Sequence, residues 1–399
     1  MPKRLFNRYF TRIDHKKKLF KTAKKGSKES LFNCVKKYPI SKKPKDLLAF
    51  GRDLASNCTW VSKAYFKYIF SYLNFFALNE DDINHSKNKY ILERVKQKKR
   101  IYKKGITQAD IFNAIYVDTV YAYQNNKYRR VLKRPKIDVT VVLVSGVFNE
   151  LFSAPAFERG TDYLSKKYKF KYISLNVHGF KSVKHNAQLI EEQLNEYIEN
   201  HPKEKLWIIG YSKGGIDTLH FLRKNAELAD NHIVGVSTIA SPILGTNRID
   251  NRIYHFANMV KGVTNASWYQ EFQRKYDILA REFQHFLSVK YQKPWFKRNY
   301  KALPKKLFYT SIAFEADQVK IQLLSVLLRL VLPAQGLTDG MVEVENALFP
   351  SYFKGYNLGV IKGHHWVSAT STSFQQEALL EAHILFLDYM KRLPVKKND

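Results

Sequence analysis

The sequence predicts an α/β fold, a mainly parallel sheet with helices on both faces, and three observations carry that prediction. Apolar runs alternate with helical patterns from residue 137 onward. The first run, residues 137–144 (IDVTVVLV), is β-branched and nearly continuous, as a strand buried on both faces requires. A third run, 206–210, passes through a tight turn directly into a helical pattern. The 399 residues are 45% hydrophobic and 14% aromatic, which is enough for one large core or two smaller ones.

The N-terminal third is set apart by charge. Of the formal net charge of +32, most belongs to residues 1–135, which hold 33 Lys and Arg against 10 Asp and Glu, whereas the remainder holds 34 against 25. Such a surplus attracts polyanions or anionic membranes. Residues 1–45, Lys-rich with Pro39 and Pro44 and without apolar periodicity, read as a mobile basic arm. Residues 46–135 read as a mostly helical N-terminal region, either a preface domain or a layer on the domain that follows. Within it Thr107-Gln-Ala-Asp110 resembles a capping box ahead of Ile111, Ile115, Val117 and Tyr121.

The first residues carry the basic character of a secretory signal without its apolar run, which leads to the expectation of a cytoplasmic protein, at most peripheral to a membrane. Residues 60–78 are apolar and aromatic but include Lys63 and Lys67. Each charge would cost about 2.5–3.5 kcal/mol near a bilayer centre, so the segment is expected to be a buried or amphipathic helix. With only Cys34 and Cys58, neither a disulfide-stapled fold nor a cysteine metal cluster is available.

Beyond residue 135 the expected strands are 137–144, 172–177, 206–210, 233–239 and 307–314, with a helix over 187–200 (AQLIEEQLNEYIEN) among the connections. Residues 136–399 form the α/β domain on this reading. An aromatic insertion at 249–302, with Trp268, Phe272, Phe286 and Trp295, is expected to be helical and to cover the site as a lid.

The motif that carries chemistry is Gly210-Tyr-Ser212-Lys-Gly214, a Gly-x-Ser-x-Gly in the strand–turn–helix setting that gives it meaning. A sharp turn holds the serine in a strained backbone geometry, and glycine two residues before and two after lets strand and helix approach closely. The turn also aims the first N–H groups of the helix, with the positive end of its dipole, at a developing oxyanion.

On this turn and three further segments, residues 137–370 resemble the α/β-hydrolases, and among them the bacterial triacylglycerol lipases and esterases. Val142-Leu-Val-Ser-Gly-Val-Phe148 is similar to the strand that ends in the oxyanion loop, with Ser145 where histidine is usual. Residues 238–246 (TIASPILGT) resemble the segment after the next strand. Leu337-Thr-Asp-Gly-Met-Val342 resembles the acid-bearing segment, and Gly363-His-His-Trp-Val367 follows it, in the order Ser, Asp, His.

The resemblance implies Ser212 as nucleophile, Asp339 as acid with Asp317 as the alternative, and a histidine base, His365 favoured over His364. It implies backbone oxyanion donors at Val147 and Lys213. Val367, or Trp366 if His364 is the base, stands where calcium-bearing members carry aspartate, so no calcium site is expected. No His-Glu-x-x-His, Walker loop or dinucleotide fingerprint occurs, and the chemistry implied needs no metal or cofactor.

The expected activity is a serine esterase or lipase acting on an acyl or lipid ester, with an acyltransferase or thioesterase on the same triad as the alternative. Nucleic-acid binding through 94–104 (RVKQKKRIYKK) ranks lower, since no recognisable module accompanies it. An anionic membrane surface, met by the basic N-terminal region, is the partner that suits a lipase better.

Overall fold

The computed structural model describes residues 85–101, 105–125, 128, 130–133, 138–146, 155–179, 181–247, 284–317, 336–368 and 374–392. The basic arm, residues 60–78, Val147 and the first two-thirds of the 249–302 insertion lie outside them. Among the described residues no helix is long and apolar enough to cross a membrane.

Among the described residues six parallel strands form one sheet in the order β2-β1-β3-β4-β5-β6: β1 Thr140–Val144, β2 Lys171–Leu175, β3 Leu206–Tyr211, β4 Ile233–Ile239, β5 Phe308–Glu315 and β6 Tyr356–Lys362. The four inner strands are buried nearly throughout, which is why their sequences run apolar without alternation. Burying such side chains contributes about 1.5–3 kcal/mol each.

Successive residues point to opposite faces and so build two cores. Val141, Leu143, Trp207, Ile209 and Tyr211 meet α1 (Ser86–Lys96), α2 (Gln108–Gln124), α3 (Glu158–Tyr168) and α8 (Gln376–Tyr389). Val142, Val144, Leu206, Ile208 and Val236 meet α4 (Val183–Asn200), α5 (Lys213–Lys224), α6 (Ala226–His232) and α7 (Val289–Asn299).

The capping box forms as read: Thr107 accepts the Asp110 N–H at 3.2 Å while Asp110 accepts the Thr107 N–H at 2.8 Å, and α2 starts there. Ile111, Phe112, Ala114 and Ile115 of α2 share one core with the sheet, and Tyr123 and Arg130 both reach Glu381 of α8. The described part of the helical region before residue 135 is thus a layer on the sheet. At the other end, Trp295 and Phe296 of α7 lie in the second core, so the described end of the 249–302 insertion belongs to that packing.

β6 has no counterpart among the expected strands. It is an edge strand in which Asn357 and Gly359 interrupt the apolar residues, and its buried positions are few. β2, at the opposite edge, is also half exposed, but Tyr172, Ile173 and Leu175 keep a readable run. Since all strands are parallel, their carboxyl ends converge on one edge, where ligand sites of open α/β sheets lie.

Candidate active site

β3 enters that edge between β1 and β4 and reverses into α5 at Ser212, whose φ of 53° and ψ of −129° are a strained conformation for a residue with a side chain. Holding it costs of order 1–3 kcal/mol. The turn is held by the Ser212 N–H, which donates to the Ile239 carbonyl at 2.9 Å. A Cβ on Gly214 would lie 2.2 Å from the Val144 carbonyl oxygen, and one on Gly210 2.5 Å from the Cα of Gly215. The helix therefore seats directly on the ends of β1 and β3, as the motif demands. Gly215, not singled out in the sequence, packs as closely against Ser241.

Ser212 Oγ lies 2.9 Å from His365 Nε2, and His365 Nδ1 lies 2.6 Å from Asp339 Oδ2. All three residues are buried. The aspartate comes from the connection after β5, anchored where the Ala316 N–H donates to the Thr338 carbonyl at 2.8 Å. Its other oxygen, Oδ1, accepts the N–H groups of Met341 at 2.9 Å and Val342 at 2.8 Å. The histidine follows β6, and its backbone N–H donates to the Asp339 carbonyl at 2.8 Å, so Asp339 and His365 are joined through main chain as well as side chain. The Tyr211 ring lies 5.5 Å from the His365 ring, with Phe157 edge-on behind it at 5.3 Å.

A parallel sheet in this order, a serine at a strained turn after its central strand, and an aspartate and histidine arriving from later strand ends make one architecture. The chain has the α/β-hydrolase fold.

No family model and no curated protein matches the sequence. Among solved structures, the chain is similar to a carboxyl esterase from a metagenome, at 20% identity and TM-score 0.49, covering 65% of this chain and 79% of that one. It is similar to the mature form of a Bacillus licheniformis lipase, at 20% identity and TM-score 0.42, covering 66% and 93%. A soluble variant of monoglyceride lipase from Saccharomyces cerevisiae aligns at 13% identity and TM-score 0.36, covering 65% and 88%.

Of the other residues singled out in the sequence, His364 lays its ring against Gly340, where a Cβ would come within 2.6 Å of Nε2. Burial depresses its pKa to about 4, an effect the Asp339 charge opposes, so the ring is neutral at pH 7. Asp317 lies just past β5 and is exposed, whereas the carboxylate on His365 is that of Asp339. Lys213 opens α5 immediately after Ser212, in the first turn, where helical N–H groups lack partners within the helix. Ser145 accepts the Ala156 N–H at 2.8 Å, a contact the motif did not announce. Among the described residues no three His, Cys, Asp or Glu side chains gather as metal ligands.

Among the described residues two further histidines are buried. His220 stacks on Trp295 at 3.6 Å, and His383 contacts Ser237 at 2.6 Å through Nε2; desolvation depresses both to about 3. With His364 they form a set whose native pKa values lie below the ordinary 6.5, so the unfolded chain takes up protons first as pH falls. Their contribution is complete above about pH 6.5 and drains below it, by roughly 1.4 kcal/mol per pH unit for each group at the limit. Asp217 acts in the opposite sense: burial pushes its carboxyl up to about 6, so between pH 6 and 4 the native state takes up that proton first and offsets one imidazole. The melting temperature is therefore expected to fall steeply from pH 6.5 to 4.5. His220→Phe, which keeps a ring against Trp295, is expected to make the fall shallower; an unchanged slope in that variant would contradict the assignment.

Proposed function

We propose that the chain is a serine hydrolase that cleaves carboxylic esters, of lipids or other acyl groups, through an acyl-enzyme on Ser212. The observation that carries this is the unbroken line Ser212 Oγ, His365 Nε2, His365 Nδ1, Asp339 Oδ2, at 2.9 and 2.6 Å. A serine hydroxyl is too weak a nucleophile at neutral pH, and an imidazole that accepts its proton during attack removes that obstacle.

In this reading Ser212 Oγ attacks the ester carbonyl and His365 Nε2 takes the hydroxyl proton. Asp339 keeps the proton of His365 on Nδ1, which leaves Nε2 free to accept, and stabilises the imidazolium that results. The carbonyl oxygen, now negative, meets the backbone N–H of Lys213 and the positive end of α5, with a second donor expected from Val147. Collapse expels the alcohol, which leaves with the proton from His365. Water then attacks the acyl group by the same route, its proton passing to Nε2 and returning to Ser212.

Two neighbouring histidines make the test specific. The parent protein is expected to hydrolyse p-nitrophenyl esters, His365→Ala to lose at least 10³-fold in kcat, and His364→Asn to keep a tenth or more of the parental rate. The reverse ranking would move the base to His364, and equal small losses would remove the triad from the account.

A further inference from the structure

Lys213 carries a buried ion pair for which ester cleavage as set out above has no use. Its Nζ donates to both carboxylate oxygens of Asp217, at 2.9 and 2.8 Å, and both side chains are only 1% exposed. The order is the unfavourable one, since a cation in the first turn followed by an anion one turn later opposes the helix dipole. A buried pair also regains little beyond the cost of stripping its water. Stability alone gives no reason for lysine at this position.

What the pair reaches is a second element. Asn186, fully buried in the first turn of α4, donates from Nδ2 to Asp217 Oδ2 at 2.7 Å and to the His178 carbonyl at 2.8 Å. Its Oδ1 accepts the His178 N–H at 3.2 Å. His178 follows β2, whose last residue, Leu175, is paired with Val144 at the end of β1. The chain from Lys213 through Asp217 and Asn186 to His178 thus ties the first turn of α5 to the β2–α4 connection. Gly214 against β1 and Gly215 against Ser241 hold the same turn on other sides. Burial raises the Asp217 carboxyl, and the neighbouring Lys213 side chain and the Asn186 amide hold that rise to about 6.

We infer that Lys213 is a positioning residue, its buried side-chain pair, tethered through Asn186 to the backbone of His178, fixing the first turn of α5 so that the Lys213 N–H meets the oxyanion at a constant angle. The inference rests on the ester-hydrolase reading of Ser212. It gives one residue two tasks: the backbone faces the reaction and the side chain secures the backbone.

The test replaces the pair by an apolar one, Lys213→Met with Asp217→Leu, and separately cuts the tether with Asn186→Ala. Three quantities are compared with the parent: melting temperature, kcat and KM on a p-nitrophenyl ester, and amide hydrogen exchange of the peptide spanning 206–219. In the double variant the melting temperature is expected within a few degrees of the parent, kcat about 10–100-fold lower, KM within threefold, and exchange at the start of α5 faster. Asn186→Ala is expected to lose about 5–10-fold in kcat with the same pattern of exchange, and it reads the tether even if the double variant fails to fold. A merely structural pair would recover kcat along with the melting temperature. Parental kcat and parental exchange in either folded variant would overturn the inference. A parent protein without turnover would instead overturn the reading of Ser212, and the exchange data alone would then decide whether the tether fixes the turn.

Discussion

Ser212→Ala is expected to lower kcat by about 10⁵-fold or more on any ester the parent protein turns over. The substitution removes one atom, the Oγ that lies 2.9 Å from His365 Nε2, and retains the Cβ, so the packing of the turn is unchanged. What survives is the catalysis supplied by binding and by the oxyanion donors, roughly 10³–10⁴ over water in enzymes of this chemistry. Alanine tolerates the φ of 53° no worse than serine, and the hydroxyl is a buried polar group, so the melting temperature should stay level or rise by a degree or two. Turnover measured beside a thermal melt checks both halves. A variant that keeps a tenth of the parental rate with a parental melt would mean that the nucleophile lies elsewhere.

Asp339→Asn should be nearly as damaging, with kcat lowered about 10⁴-fold, equivalent to about 5.5 kcal/mol of transition-state stabilisation. The reason lies in the other oxygen of the carboxylate. Because Oδ1 accepts the N–H groups of both Met341 and Val342, an asparagine must place its carbonyl oxygen there. Its NH₂ group then faces His365 Nδ1 and donates to it, which forces the ring proton onto Nε2. In that tautomer the ring donates to Ser212 instead of accepting from it. The fold should be kept, since the loop hydrogen bonds from Thr338 to the Val342 carbonyl and from the Ala316 N–H to the Thr338 carbonyl do not involve the carboxylate. The exposed Asp317, changed to asparagine, should leave kcat within about twofold. Steady-state rates of the two variants rank the acids directly; a loss under 100-fold at Asp339, or a larger one at Asp317, would reject this assignment.

How much of this was legible in the sequence follows from how local each feature is. The turn at Ser212 could be read because strand, small residues, nucleophile and helix are contiguous, and each is demanded by the same close approach. His365 lies 153 residues from Ser212 in sequence, and the adjacent His364 and His365 are equivalent in composition. Only the short turn after β6, which sends one ring toward Ser212 and the other against Gly340, separates them. The capping box was legible for the reason the elbow was, but that α2 would share its core with the sheet was not. Its buried residues run almost unbroken from Ile111 to Tyr121, and that pattern marks a helix covered on several sides without naming what covers it. Lys213 and Asp217, four apart on a helix, have the spacing of an ordinary solvated pair, and their burial comes from α4 and the sheet edge, which no local pattern encodes.

Labelling the full chain with a fluorophosphonate probe, followed by mass-spectrometric mapping of the modified peptide, decides whether Ser212 is an activated serine. A single phosphonylated site at Ser212, lost in His365→Ala, is expected. Absence of labelling in the folded protein, with and without detergent micelles to supply an interface, or labelling at a different serine, would contradict it.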